Sequence, residues 1–335
     1  MLIDRNLHIR AIDTYVDPGV PRARAIVTHG HADHARAGHD AVLATPETIA
    51  IMKARYGEDC AKSFQPLGFG ETLRIDDFAI TLYPAGHILG SAQVLIEARG
   101  QRVVVTGDYK RLRDATAEPF ELVECDVFIT EATFGLPVFQ HPHPDSEISR
   151  LLASVAANPG RAHMVGCYAL GKAQRVIALL RGAGYDAPIY LHGAMIRLCA
   201  LYEELGVPLG ELRPATGADP RALAGAIVIA PPSAIRDRWS RRFPDPLTCQ
   251  ASGWMSIKQR ARQALVELPL VISDHCDWGE LTRSVLETGC ETVWVTHGRE
   301  DGLVHWSRQQ GLAAEPLNLQ RFEDEGDADS GEEDA

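Results

Sequence analysis

The sequence predicts an α/β fold in two parts, and two patterns of apolar residues support this prediction. In the first part, short apolar runs alternate with turns, at 25–28, 42–44, 79–82, 93–98, 102–106 and 127–130. In the second part, helical segments alternate with strand-like runs: the helices are predicted at 146–157 and 171–182, and the strands at 162–167, 188–191, 226–230 and 268–273. This alternation is typical of a parallel sheet covered by helices.

The change of pattern also predicts the domain boundaries. A helix over 46–56 with a proline start belongs to the first part. The proline-rich stretch 139–144 separates the two parts, and an apolar strand at 293–296 follows the second part. We expect a first domain built from 1–138 and 269–321, an insertion at 139–268, and a disordered acidic tail at 322–335.

The most informative motif is the segment from His29 to His34, which reads HGHADH. It places three imidazoles and one carboxylate within six residues, directly after a short apolar run. Imidazole nitrogens and carboxylate oxygens are the usual protein ligands of zinc and related divalent ions. Glycine and aspartate also suit a loop in which several side chains converge. The motif therefore predicts a metal site.

Four further segments carry candidate ligands or acids where a predicted strand ends. Each combines a short apolar run with a titratable residue and a small neighbour, as in a loop at a sheet edge. The residues are His87, Asp108, Glu131 and His297. Taken singly, each has an ordinary structural explanation, such as a buried histidine or a helix cap. Together with the HGHADH segment, they supply enough ligands for two metal ions and a bridging carboxylate.

These motifs resemble those of the β-CASP group of nucleases with the metallo-β-lactamase fold. The HxHxDH signature matches His29–His34, and the later motifs match His87, Asp108, Glu131, His275 and His297. The segment YALGKAQ at 168–174 resembles a signature of the inserted domain in that group. The compact size looks most like the bacterial exonucleases associated with DNA ligases. The resemblance implies a metallo-β-lactamase αββα sandwich with an inserted β-CASP-like α/β domain.

The resemblance also implies a set of metal ligands. His29, His31 and His87 would hold one divalent ion, and Asp33, His34 and His297 would hold a second. Asp108 would bridge the two ions. Zinc is the expected metal, with manganese as the alternative. The activity implied is hydrolysis of a phosphodiester by a hydroxide that the two metals activate, with Asp33 counted among the catalytic residues.

Two more residues are candidates for acid catalysis. His275 would donate a proton to the leaving oxygen or bind the phosphate, and Glu131 would orient it. The alternative for Glu131 is a hydrogen bond to a metal-bound histidine.

Nucleic-acid contacts are expected at local basic segments, because the chain as a whole carries a formal net charge of −12. Eight acids in the predicted tail account for much of that charge. The segment 236–243 interleaves four arginines with two aromatic residues, which suits phosphates and stacked bases. An ordinary amphipathic helix is the alternative. Lys110–Arg113 and the lysine of the YALGKAQ segment are further candidates. The predicted contacts are Lys172, Arg236, Arg238, Arg241 and Arg242.

The composition suggests a cytoplasmic enzyme that does not act in a membrane. The seven cysteines form no CxxC pair, which is unlike a disulfide framework. The first residues lack an apolar core of the kind found in signal peptides, and no apolar stretch is long enough to span a bilayer.

Three functions remain in competition. The first is a DNA exonuclease that acts in repair, on single strands or DNA ends, with a DNA ligase and a helicase as partners. The second is an RNA-processing ribonuclease of the same group. The third is a metallohydrolase of small molecules, which would need neither a large insertion nor the motifs around Glu131 and His275. The first is the expected function.

Overall fold

The computed structural model describes residues 1–317 and 319 and divides the chain into two compact units. The first unit comprises Met1–Gln140 and the described chain from His275 onward, and the second comprises His141–Asp274. The sequence predicts an insertion at 139–268, so the observed second unit begins two residues later and ends six residues later. The predicted acidic tail, 322–335, lies outside the described residues.

The first sheet of the first unit has five strands. In chain order they are β1 (His8–Ile9), β2 (Thr14–Val16), β3 (Arg24–Ile26), β4 (His39–Ala44) and β5 (Ala61–Pro66), and this is also their order in the sheet. One helix, α1 (Pro46–Tyr56), connects β4 to β5. It begins where the sequence predicts, with Thr45 as the capping residue and a proline in the first turn.

The second sheet of the first unit has seven strands. Five come before the second unit: β6 (Thr72–Ile75), β7 (Phe78–Pro84), β8 (Ala92–Ala98), β9 (Gln101–Val105) and β10 (Val127–Ala132). Two come after it: β17 (Thr292–Gly298) and β18 (Ala313–Pro316). Their order is β18-β17-β10-β9-β8-β7-β6, and β9, β10 and β17 run parallel. The helices α7 (Trp278–Glu287) and α8 (Glu300–Gln309) belong to the same unit.

Three apolar clusters stack these elements into an αββα sandwich. The central cluster joins the two sheets and includes Ile26, Ile96 and Ile129. A second cluster packs α1 against the outer face of the first sheet. A third packs α7 and α8 against the outer face of the second sheet, around Phe128 and Leu281. Because the strands β7 to β10 are buried on both faces, they are largely apolar, as the sequence shows.

The second unit is a parallel sheet with flanking helices. Its six strands are β11 (His163–Gly166), β12 (Ile189–Leu191), β13 (Leu212–Pro214), β14 (Ile227–Ala230), β15 (Leu247–Ala251) and β16 (Leu268–Leu270). Their order is β13-β12-β14-β11-β15-β16, and the neighbouring strands pair in parallel. Its helices are α2 (Pro144–Ala157), α3 (Lys172–Gly182), α4 (Gly193–Glu204), α5 (Pro232–Arg236) and α6 (Lys258–Gln263). The predicted α/β fold is confirmed.

All seven cysteines are buried and free of disulfides, as the absence of a paired pattern predicted. Within the described chain, no helix is both long and apolar enough to cross a membrane.

The turn between β7 and β8, which carries His87, depends on Gly86. Gly86 has a φ of +73°, and a Cβ atom added there would lie 2.2 Å from the carbonyl oxygen of Lys110. Gly100, in the turn between β8 and β9, has a φ of +75° but no atom within 4 Å of an added Cβ. Both glycines therefore have a left-handed backbone conformation. Only at Gly86 would a Cβ atom also clash with a neighbouring atom.

We expect Gly86→Ala to destabilise the first unit clearly more than Gly100→Ala. Both variants have the cost of a left-handed alanine, about 1–2 kcal/mol, and only Gly86→Ala adds a steric clash, which costs roughly 1–3 kcal/mol more in a packed interior. Denaturant midpoints measured on the full chain would compare the two variants. Equal losses at the two positions would contradict this account of the turn.

Candidate metal centre and active site

The candidate site lies at one edge of the first unit, where several strands end. The parallel strands β9, β10 and β17 end at this edge, and β7 ends there as well because it pairs with β8, which runs antiparallel to β9. The end of β3 joins the same edge through the amide of Ala92, which donates to the carbonyl of Thr28 at 2.8 Å. The loops that follow these strands therefore converge.

The structure brings all seven predicted ligands together in two groups. In each group, one ligand atom from every member lies within 4.8 Å of the others. The first group is His29, His31, His87 and Asp108, and the second is Asp33, His34 and His297.

Asp108 lies between the two groups. Its Oδ2 atom is 3.4 Å from Nε2 of His29 and 3.8 Å from Nε2 of His87, in the first group. The same atom is 3.4 Å from Nε2 of His34, in the second group. The other oxygen, Oδ1, is buried and has no hydrogen-bond partner among the described residues. A buried carboxylate oxygen without a donor fits a bound cation, because burial without a partner is otherwise costly.

The charges of the site also fit a cation. Burial lowers the pKa of His29 to about 4, so this imidazole is neutral and can act as a ligand. Burial acts in the same direction on His34, but Asp33, Asp108 and Asp17 outweigh it and raise the pKa of His34 well above its usual value. The carboxylates thus attract positive charge to the second group. The nitrogen and oxygen donors are those that zinc takes in proteins.

Asp17 is a site residue that the sequence reasoning missed. It is buried, follows β2, and its Oδ2 atom lies 2.7 Å from Nδ1 of His34. Its carboxylate also accepts hydrogen bonds from the amide and the hydroxyl of Thr28, at 2.8 and 2.7 Å. A carboxylate bound to the second nitrogen of a metal-ligating histidine fixes the orientation of the ring. The only signal in the sequence was a turn, Asp17-Pro18-Gly19, directly after an apolar residue.

His275 and Glu131 form a hydrogen-bonded pair beside the first group. Nδ1 of His275 lies 3.0 and 3.1 Å from the two oxygens of Glu131, and the ring of His275 is 4.6 Å from that of His87. Glu131 is fully buried and also accepts from the Tyr109 amide at 2.8 Å and from the Thr133 hydroxyl at 2.5 Å. The imidazole that is hydrogen-bonded to Glu131 belongs to His275, which is not one of the seven predicted metal ligands. This contact favours the orienting role of Glu131 over the alternative.

Lys172 is placed differently from the expectation. It is buried in the second unit, where its ammonium group is hydrogen-bonded to the carboxylate of Asp274 and, at 3.2 Å, to the carbonyl of Ile272. Arg175 donates to the carbonyl of Ser273 in the same segment. Lys172 therefore holds the chain that precedes His275, and its ammonium group is used inside the second unit.

The basic segment 236–243 is not one helix. Arg236 ends α5, and a short 3-10 turn covers Ser240–Arg242. Arg236, Arg238 and Arg241 are exposed. Arg242 is half-buried, lies over the rings of Trp239 and Phe243, and donates to the carbonyl of Ala215 at 2.8 Å.

The other basic segment, Lys110–Arg113, is also mostly used inside the fold. Lys110 is buried and forms an ion pair with Glu280 at 2.6 Å, and Arg111 pairs with Glu287 at 2.5 Å. Both acids lie on α7. These two cations attach the loop after β9 to a helix of the same unit, so a phosphate role is not supported for them.

Comparisons with known proteins found relatives in sequence and a protein of similar fold. No family model matches the chain. A probable DNA ligase of Opitutus terrae is 31% identical over 315 residues, which are 92% of this chain and 30% of that protein. The endoribonuclease ysh-1 of Neurospora crassa is 35% identical over 43% of this chain and 18% of its own length. An RNase J-like protein of Methanocaldococcus jannaschii is 28% identical over 53% of this chain and 49% of its own.

The chain thus spans less than half the length of each of these three relatives. A solved structure of a protein of unknown function from Enterococcus faecalis V583 is similar in fold, with a TM-score of 0.57 and 13% identity. That match covers 89% of this chain and 80% of the other. The relatives and the site motifs together point to the β-CASP family of proteins with the metallo-β-lactamase fold.

Asp17→Asn is expected to lower the affinity of the second group for a divalent ion by roughly 10–100-fold, because His34 loses the carboxylate that orients it. The measurement is a competition for zinc between the protein and a chelator of known affinity. Asp13→Asn is a matched control, since Asp13 has a similar backbone, with φ of 44° against 45°, and lies on the surface. An unchanged zinc affinity in Asp17→Asn would exclude the orienting role.

Proposed function

We propose that this chain is a metal-dependent phosphodiester hydrolase that degrades nucleic acid. The observation that carries the proposal is the position of Asp108, whose Oδ2 atom lies 3.4–3.8 Å from histidines of both ligand groups. Two divalent ions held there would supply activated water and positive charge opposite the phosphodiester oxygens.

The residues of the chain have separate roles in this proposal. His29, His31 and His87 would hold the first ion, and Asp33, His34 and His297 would hold the second. Asp108 would be a ligand shared by both groups. Zinc fits this donor set, and manganese is the alternative. The relatives support a nuclease because two of the three carry ribonuclease names.

His275 acts on the leaving group. Glu131 engages Nδ1 and fixes the ring, so Nε2 is the atom that would hold a proton for the leaving oxygen or donate to a phosphate oxygen. A phosphodiester has a poor leaving group, and a positioned acid accelerates its departure. The fixed, mostly buried position of His275 beside His87 suits this role.

For the substrate, we propose DNA, attacked from its ends as single strands. The support is the relative named as a probable DNA ligase, which aligns with 92% of this chain, whereas the ribonucleases align with about half or less. In that relative, a segment similar to this chain is part of a protein named as a probable DNA ligase. This arrangement suits a repair enzyme that trims DNA ends before they are joined. The proposed partners are a DNA ligase and a helicase. The second candidate is an RNA-processing ribonuclease, favoured by the names of the other two relatives.

The exposed arginines Arg236, Arg238 and Arg241 are proposed to bind backbone phosphates. Phosphate contacts of this kind release counterions, so they make binding dependent on salt. Arg242 is left out of this set because its guanidinium packs inside its own unit.

The first test separates the roles of ligand and acid. Asp108→Ala should abolish hydrolysis and lower the metal content. His275→Ala should keep the metal content and slow cleavage by roughly 10²–10⁴-fold, as expected for a lost general acid. His305→Ala, a change at an exposed histidine on α8, is the control and should behave as the wild type. Loss of a metal ion from His275→Ala would make His275 a ligand and overturn its assigned role.

The second test addresses the substrate. Linear and circular single strands of DNA and RNA with the same sequence are incubated with the metal-loaded protein, and products are followed by their end labels. We expect linear DNA to be shortened from an end and circular DNA to stay intact. Rapid cutting of circles would exclude the exonuclease mode, and preferential cleavage of RNA would establish the second candidate. Failure to cleave any of these strands or a simple phosphodiester would reject the nuclease proposal.

A further inference from the structure

A cavity of about 680 Å³ in the first unit reaches the candidate site. It is lined by Asp33 of the second ligand group and by residues of the first strands and of the loop that joins β2 to β3. Its size is within the range of small-ligand sites in proteins, about 300–1,000 Å³. Of its lining residues, only Asp33 and Asp17 take part in the candidate metal centre.

Three of the lining residues, His8, Tyr15 and Arg22, form a stack of planar groups. His8 on β1 and Tyr15 on β2 are paired across the sheet, and their rings are parallel with centroids 3.9 Å apart. The guanidinium carbon of Arg22 lies 4.4 Å from the centroid of the Tyr15 ring. Nε2 of His8 is in turn 3.0 Å from a carboxylate oxygen of Asp13. The stack therefore holds the Arg22 guanidinium in place at the surface of the cavity.

Two arginines that line the cavity, Arg10 and Arg22, differ in whether they form an ion pair. Arg10 is already used, because its Nε donates to Asp4 at 2.8 Å. Arg22 is exposed and forms no ion pair with any residue that the structure describes. Its backbone is fixed, since its amide donates to Nδ1 of His39 at 3.1 Å. The loop that carries it begins at Asp17, which is bonded to His34.

We propose that Arg22 and this cavity form a subsite for a phosphate of the nucleic-acid strand next to the phosphodiester that is cleaved. The proposal rests on the proposed nuclease function and names how that substrate is recognised. The ligand is a nucleotide unit with an anionic phosphate. A guanidinium is planar, always charged, and presents donors that match two phosphate oxygens at once. The stacked Tyr15 orients these donors before the ligand arrives, which reduces the entropy lost on binding.

The position of the cavity explains why the phosphate would be an adjacent one. Asp33 belongs to the ligand groups, where the cleaved phosphodiester is proposed to react, and it also lines the cavity. A strand that places one phosphate at the ligand groups would therefore extend its neighbouring unit along the cavity wall. A substrate without a second phosphate would make no use of Arg22.

The test compares two substrates in the metal-loaded full chain. With a pentathymidylate strand, Arg22→Ala should raise KM about tenfold or more, as expected for a lost charged hydrogen bond, and leave kcat nearly unchanged. With bis(p-nitrophenyl) phosphate, which has no second phosphate, the variant should equal the wild type. Arg22→Lys keeps the charge without the paired donors and should restore part of the affinity. Arg24→Ala, an exposed arginine on β3 that does not line the cavity, is the control.

A second measurement locates the phosphate. Strands with one neutral methylphosphonate linkage, moved along the sequence, should bind the wild type more weakly when the neutral linkage lies at the subsite. Arg22→Ala should be insensitive to that same linkage, because the two changes remove one interaction. If the wild type cleaves both substrates and Arg22→Ala matches it on the strand, the subsite is wrong and the nuclease proposal stands. If the wild type cleaves neither substrate, the nuclease proposal itself fails.

Discussion

The convergence of seven titratable side chains, five of them buried, at one edge of the first unit is the constraint on which the site depends. Five imidazoles and two carboxylates meet there, and Asp108 is close to members of both ligand groups. Burying carboxylates and imidazoles together is costly in an apolar interior unless charge is balanced. The first unit meets part of this cost with hydrogen bonds such as that from His34 to Asp17. The remaining excess of acceptor atoms is what makes the cluster suitable for divalent ions.

The αββα sandwich explains how residues far apart in the chain reach this edge. The parallel strands β9, β10 and β17 end on the same side, so Asp108, Glu131 and His297 arrive together although 189 positions separate the first from the last. The two sheets share an apolar core, which holds the β3 end against the β8 start. Four of the seven candidate ligands lie on the loop after β3, and the other three lie at or just after strand ends of the second sheet.

Some cationic side chains of this chain are buried in ion pairs, and others are exposed. Only the exposed ones are available to bind the phosphates of a nucleic acid. Lys110 and Lys172 are buried in ion pairs, and removing one partner of a buried pair typically costs about 3–5 kcal/mol. These lysines serve stability. Four arginines proposed to bind phosphates are exposed: Arg22 in the first unit, and Arg236, Arg238 and Arg241 in the second.

Much of the fold and most of the candidate site could be predicted from the sequence. Apolar periodicity identified the main strands and the helix at 46–56, and the ligands were recognisable because histidines and aspartates cluster at strand ends in a characteristic pattern. Short or polar strands such as β1 and β6 escaped prediction, because they carry little apolar signal and form through pairing with neighbours. Only the tertiary structure could reveal Asp17 as the partner of His34, Lys172 as a buried ion pair, and the stack of His8, Tyr15 and Arg22. Sequence spacing determines which chemical groups a chain carries. Burial and contacts across strands decide which of those groups are used inside the fold and which remain for a ligand.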